Sequence, residues 1–254
     1  MKIQYASDLH LEFADNWRYL KENPLHVAGD ILVLAGDIGY LGDVNYSQHP
    51  FWDWASENFQ QVIACMGNHE FYKNYDIANL NDGFCLEIRP NVHSYYNAVV
   101  HFGNIDIILT TLWAKIPLNE AYYTELVVSD FRRILFNGEI LTFSDFNREH
   151  ERCLKFLKEA VSSSRADRKV VVTHHVPSFQ MQCPKFTESK ANGAFTVELE
   201  DYIKDSGIDI WIYGHSHFNV DVKIGGTLCT SNQLGYVFQG EHESFDAGKC
   251  IEIV

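Results

Sequence analysis

The chain has 254 residues, 46% hydrophobic and 21% charged, with a formal net charge of −14. No stretch reaches the roughly 20 consecutive apolar residues of a membrane-spanning helix, and the acidity repels a polyphosphate backbone, which argues against non-specific nucleic-acid binding. The amino terminus MKIQYASDLH turns polar too early for a signal peptide, no Pro-, Gly- or Ser-rich linker divides the chain, and the six cysteines are scattered with no C-x-x-C pair. The expectation is one cytoplasmic domain over residues 1–254, with reduced cysteines used in packing. Acidic charge and scattered apolar residues fit monomer and dimer equally.

Taken in chain order, six apolar runs predict strands: KIQYA (2–6), ILVLAG (31–36), QVIACMG (61–67), IDIILTTLW (105–113), KVVVTHH (169–175) and IDIWIYG (208–214). Most are near-continuous apolar runs, as strands covered on both faces are. After the second run, Phe51, Trp54, Ala55 and Phe59 fall at helical spacing and predict a helix packed on a sheet. A second helix is predicted from Ser144, where Phe146, His150, Cys153, Leu154, Leu157 and Val161 form one apolar stripe and Ser144 or Asp145 caps the first turn. NVDVKIGGTLCTSN (219–232) reads as strand, Gly-Gly turn, strand, and KCIEIV (249–254) as a last strand.

Five of the six runs end in side chains suited to chemistry, and open α/β sheets form ligand sites at the carboxyl ends of their strands. The first run delivers Asp8 and His10, two residues apart, whose side chains leave the same face if the chain stays extended. The second delivers Gly36 and Asp37, and the third Asn68, His69 and Glu70. The fifth ends on His174 and His175, the sixth on His215 and His217. Each signal alone has an ordinary reading as a turn or a packed polar residue. Their order, D-x-H, G-D, G-N-H-E, T-H-H-x-P and G-H-x-H, each after a predicted strand, makes coincidence improbable. Two adjacent histidines at the end of an apolar strand also need partners, because buried imidazoles left unpaired are costly.

With those five blocks intact from Asp8 to His217, the sequence resembles the calcineurin-like metallophosphoesterases. LTTLW, SDFRRI and FNREHERCLKFL are similar, less specifically, to a bacterial branch of that family. The resemblance implies a four-layer αββα sandwich, two mixed β-sheets flanked by helices, with the site at the strand ends. It implies two divalent ions, one held by Asp8, His10, Asp37 and His217, the other by Asp37, Asn68, His174 and His215. This mixed nitrogen and oxygen set, without thiolate, suits Mn²⁺, Fe²⁺ or Zn²⁺. Two such ions against two carboxylates leave a net charge of plus two, enough to attract a phosphoester to an acidic protein.

The implied reaction is hydrolysis of a phosphoester by a metal-bridging hydroxide, with His69 as the catalytic histidine that stabilises the transition state or protonates the leaving oxygen. Glu70 and His175 are candidates to orient neighbouring groups, with ordinary packing as the equal alternative. Residues 113–143 and 176–195 are expected to form substrate-side loops or a cap. In them Lys115, Arg132, Arg133 and Lys185 are candidates for anionic groups of the substrate, and Trp113, Tyr122 and Tyr123 for stacking, although solvated cations and core aromatics are the commoner outcome. His26, His49, His93, His101, His150 and His242 read as surface or packing residues. A small phosphodiester is the favoured substrate. A monoesterase, a nuclease and a non-catalytic partner-binding scaffold are the alternatives.

Overall fold

The computed structural model describes residues 1–253. Its strands are β1 (Lys2–Ala6), β2 (Ile31–Ala35), β3 (Gln61–Cys65), β4 (Tyr75–Asp76), β5 (Phe84–Arg89), β6 (Val92–Tyr96), β7 (Ala98–Phe102), β8 (Ile105–Thr110), β9 (Ile134–Phe136), β10 (Glu139–Ile140), β11 (Arg168–Thr173), β12 (Ile210–Tyr213), β13 (Val222–Ile224), β14 (Thr227–Ser231) and β15 (Cys250–Glu252). The helices are α1 (Ala14–Glu22), α2 (Pro50–Asn58), α3 (Ala121–Val127), α4 (Asp130–Arg133), α5 (Phe143–Ser163) and α6 (Glu200–Asp205).

One six-stranded sheet runs β15-β1-β2-β3-β6-β5 and a second runs β13-β14-β12-β11-β8-β7, while β10-β9-β4 form a small sheet of their own. In both large sheets the four central strands are parallel and the two edge strands antiparallel.

Strand alternation explains the layers. Ile31, Val33 and Ala35 of β2 point one way and join Ile107, Leu109, Val170, Val172, Ile210 and Ile212 of the second sheet in one buried cluster between the sheets. Leu32 and Leu34, on the other face of β2, pack with Leu20, Phe51, Trp52 and Ala55 of α1 and α2. On the far side, Val171 and Trp211 pack with Phe146, Cys153 and Leu157 of α5. The order is therefore helices, sheet, sheet, helices. Because both faces of the central strands are buried, they read in sequence as unbroken apolar runs.

All six sequence-read strands are present, as are the hairpin across Gly225 and Gly226, with Ile224 opposite Thr227, and the final strand, antiparallel to β1. The last sequence-read residue of that final strand, Val254, lies outside the described residues. Strands β5, β6 and β7 escape the sequence reading. They lie at or next to sheet edges and mix half-buried with buried positions, so VHSYY shows no apolar run.

Two helix details need correction. The long helix begins at Phe143, not Ser144, and its cap is Thr142, whose side chain accepts from the Asp145 backbone N–H while Asp145 reaches back to the Thr142 N–H. This reciprocal pair satisfies two orphan donors of the first turn. In α2 Phe51 and Ala55 face the core as read, but their aromatic partner there is Trp52, fully buried and donating its indole N–H to the Tyr46 carbonyl at 2.8 Å, whereas Trp54 is only half-buried. Removing the Trp52 side chain is expected to cost about 3–5 kcal/mol.

Candidate metal centre

Strands β1, β2, β3, β11 and β12 stop at Ala6, Ala35, Cys65, Thr173 and Tyr213, and all seven sequence-read ligand candidates follow within a few residues of those ends. They converge, but not by strand alternation: Asp8, His10, Asp37, His215 and His217 all have positive φ, between 47° and 76°. The expectation that D-x-H and H-x-H share a face because the chain is extended is therefore corrected. Left-handed turns re-aim each side chain, at roughly 1–3 kcal/mol per non-glycine residue, and such strain persists only where the surroundings hold it. Here the Asp8 N–H donates to the Gly36 carbonyl, that of His10 to the Asp37 carbonyl, and that of His215 to the Asp8 carboxylate.

Gly67 shows how closely the strand ends approach. A Cβ there would stand 2.2 Å from Asp37 Oδ1 and 2.8 Å from His174 Cε1, so only glycine fits beneath these two side chains.

Hydrogen bonds outside the cluster fix which atoms face inward. His10 Nδ1 lies 3.0 Å from Glu12 Oε1, and His217 Nδ1 lies 2.6 Å from Glu241 Oε2. Each ring donates its Nδ1–H to a carboxylate and turns the lone pair of Nε2 inward, yet the two Nε2 atoms face each other at 3.1 Å. Asp8 Oδ1 lies 3.3 Å from His217 Nε2, and Asp37 Oδ2 lies 3.8 Å from His10 Nε2.

The second group repeats the pattern. His174 donates Nδ1–H to the Ala35 carbonyl at 2.8 Å, and His215 gives Nε2–H to the Ala194 carbonyl at 3.3 Å. The Asn68 amide N–H₂ donates to Asp130 Oδ1, which Tyr72 also grips, so the amide oxygen must point the other way. As a result His174 Nε2 meets Asn68 Oδ1 at 3.0 Å, His215 Nδ1 at 3.1 Å and Asp37 Oδ1 at 3.2 Å. Acceptors gathered without a donor repel one another unless protons or cations lie among them. The donor set therefore fits divalent cations, with the two oxygens of Asp37 turned toward different groups.

Proton uptake is the other relief. Burial alone would lower the His174 pKa, but Asp37 and Asp8 outweigh it and hold it up at about 9. Burial likewise opposes, and Asp8 and Glu241 overcome it, at His217, which is pushed up to about 10. His215, desolvated and beside the His174 cation, is driven down to about 3 and stays neutral.

His69 stands next to both groups. Its backbone N–H donates to Asp37 Oδ1, Nδ1 lies 2.8 Å from Glu12 Oε1, Nε2 lies 3.3 Å from the Tyr236 hydroxyl, and the ring stacks on Tyr72. Burial lowers its pKa, and Asp37 with Glu12 more than compensates, so the net shift is upward. Glu12 thus serves His10 and His69 through one oxygen. Burial would raise its own pKa, but the two imidazoles hold it at about 2, ionised.

Glu70 orients backbone: it accepts the N–H groups of Asp37, Ile38 and Gly67 at 2.7–2.9 Å, tying together the two turns that carry the candidates Asp37 and Asn68. His175 makes no such bond to a candidate ligand. It packs against His215, with ring centroids 4.1 Å apart and the planes tilted by 36°, and its Nδ1 lies 3.2 Å from the Thr111 carbonyl.

Glu12, Asp130, Tyr236 and Glu241 are absent from the sequence-read site. Glu12 had a signal, an acidic residue two positions beyond His10 with the same spacing as Asp8 to His10. Asp130 lay within SDFRRI. Tyr236 and Glu241 are distant in sequence and carried none.

The cleft over these groups, about 390 Å³, is walled by Val127, Ser129 and Asp130 from one predicted substrate-side segment and by Gln182, Phe186 and Phe195 from the other. Neither segment is a bare loop, since the first holds α3, α4, β9 and β10 and the second three short 3₁₀ turns. None of Lys115, Arg132, Arg133 and Lys185 lines the cleft. Lys115 faces Glu151, Arg132 donates to the Leu126 carbonyl, and Arg133 lies over the Tyr72 ring. Trp113 is fully buried in the core, and Tyr122 and Tyr123 are exposed and outside the cleft lining. Of the remaining histidines, His150 is buried and bonds backbone carbonyls, and His49 accepts from the first turn of α2.

The sequence profile of the calcineurin-like phosphoesterases matches residues 1–219, a span that includes all seven candidate ligands and His69. The uncharacterized protein L509 of Acanthamoeba polyphaga mimivirus is 26% identical over 280 residues, covering 99% of this chain and 96% of that protein. Phosphopantetheinyl hydrolase from Mycobacterium tuberculosis shares the fold, with a TM-score of 0.72 over 97% of this chain and 94% of that one at 17% identity.

Proposed function

The chain belongs to the calcineurin-like phosphoesterase family, whose reaction is metal-dependent hydrolysis of phosphoesters, and we propose that it hydrolyses a small phosphodiester at a centre of two divalent ions. The observation that carries this reading is the division of acceptor atoms into two groups joined by Asp37, one oxygen turned toward each. Asp8, His10, Asp37 and His217 would hold one ion, and Asp37, Asn68, His174 and His215 the other, drawn from Mn²⁺, Fe²⁺ or Zn²⁺. Such ions supply Lewis-acid charge for the phosphoryl oxygens and lower the pKa of water at neutral pH.

The protein's own groups do the positioning. Glu12 and Glu241 accept the outward Nδ1–H groups of His10 and His217, which fixes the rings so that their Nε2 atoms face inward as the ligating nitrogens. Asp130 and Tyr72 hold the Asn68 amide so that its oxygen faces His174. His69, with its pKa raised and Nε2 directed at the Tyr236 hydroxyl beside the cleft, is placed to hand a proton to the departing ester oxygen. The cleft leaves space beyond the centre for the second ester substituent, which favours the diester over the monoester. Among the described residues its lining holds no Lys or Arg, and the chain is acidic, which disfavours a nuclease.

The test is a panel on metal-loaded protein: a generic aryl diester, an aryl monoester, cyclic nucleotides and single-stranded DNA. The aryl diester is expected to turn over fastest. No hydrolysis of any member with Mn²⁺, Zn²⁺ or Fe²⁺ points instead to a partner-binding scaffold.

A further inference from the structure

The cleft combines two features that bear on the substituent its substrate carries. Among the described residues its lining contains no Lys or Arg, and the charges it does expose, Asp37, Asp130 and Glu241, are carboxylates apart from the histidines. A second phosphate far from the metal-ion charge would meet no cation there. Apart from those carboxylates and the histidines, the walls are uncharged: Val127, Val128, Phe186 and Phe195 supply the large apolar side chains, and Ser129, Gln182, Ser189, Asn192 and Thr196 line it beside them. Phe195 stacks on His215, with centroids 4.9 Å apart, so the apolar wall starts at the metal-binding group. Phe186 and Val127 line the same cleft and remain 55% and 43% exposed, and Leu126, next to Val127 in the chain, is 62% exposed. Large apolar side chains held open beside a site gain free energy when a ligand covers them.

Resting on the diesterase reading above, we infer that the cleft takes the second ester substituent as an uncharged, predominantly apolar group of several carbons, laid along Phe195, Val128, Val127 and Phe186, and that it disfavours substituents bearing further phosphates.

The experiment uses p-nitrophenyl phosphodiesters whose other substituent is methyl, butyl, octyl, or a butyl chain ending in a phosphate, with the full-length metal-loaded protein and kcat/KM as readout. Each methylene that covers the wall is expected to raise kcat/KM by up to about fourfold, and the octyl ester to exceed the methyl ester by at least about tenfold. The phosphate-capped chain is expected at least about tenfold below butyl. Phe186→Ser and Val127→Ser, at half-exposed positions, should shrink the octyl-to-methyl ratio of kcat/KM. Equal kcat/KM across the chain lengths, or preference for the phosphate-capped ester, overturns the inference and leaves the diesterase standing. No turnover of even the methyl ester removes the diesterase reading, and this inference with it.

Discussion

The Nε2 atoms of His10 and His217 face each other at 3.1 Å, although each ring has committed its Nδ1–H to a carboxylate. Two lone pairs at that distance are stable only with a proton or a cation between them, so cation binding and proton binding compete for the same space.

Metal loading should therefore release protons. With metal removed by chelation, His174 and His217 have pKa values near 9 and 10 against about 6.5 in the unfolded chain. Raised folded values stabilise fully below pH 6.5, and that contribution is lost as pH rises through 9 to 10. Thermal melts of chelated protein should fall in midpoint from pH 6.5 to pH 10, while Mn²⁺ affinity rises over the same window. A chelated protein that gains stability across it contradicts the assignment.

Asp37→Ala should abolish metal binding in both groups, because one carboxylate faces both. His69→Ala should keep its metal and lose about 10²–10⁴-fold in turnover, the usual scale of proton-transfer catalysis. Elemental analysis beside steady-state rates separates the two. Normal metal content in Asp37→Ala rules out its shared role.

Glu12→Gln keeps the shape of the side chain that serves His10 and His69 but removes its charge. Losses of about 10–100-fold in metal affinity or kcat are expected from such partners. Wild-type values for both quantities would leave Glu12 without the role argued for it.

Gly67→Ala drives a Cβ into Asp37 and His174. Circular dichroism should stay native while aryl-diester turnover drops by about 100-fold, the scale of an ångström misplacement at a reacting centre. Unchanged turnover would mean that the turn gives way freely.

How much of this was legible in the sequence depends on which physical signal each part leaves. The central strands were legible because burial on both faces makes them continuous apolar runs, and the seven ligand candidates because each directly follows such a run. Edge strands such as β6 were not, since VHSYY carries no run. The left-handed turns at Asp8, His10 and His217 were hidden, because nothing in a D-x-H pair distinguishes an extended segment from a turn that tertiary hydrogen bonds hold. Glu241 and Tyr236 reach the site only through folding, from a turn region that carries no motif. The four candidate cations lie outside the cleft lining, in keeping with the commoner outcome that long charged side chains find exposed or paired places, as Lys115 does with Glu151.

The most direct test of the central claim is a titration of Mn²⁺ into chelator-stripped protein, with aryl-diester hydrolysis as the signal at protein concentrations well above the metal dissociation constant. No turnover is expected without metal, with a rise that saturates at two equivalents per chain. Saturation at one equivalent, or full turnover in the stripped protein, would contradict it.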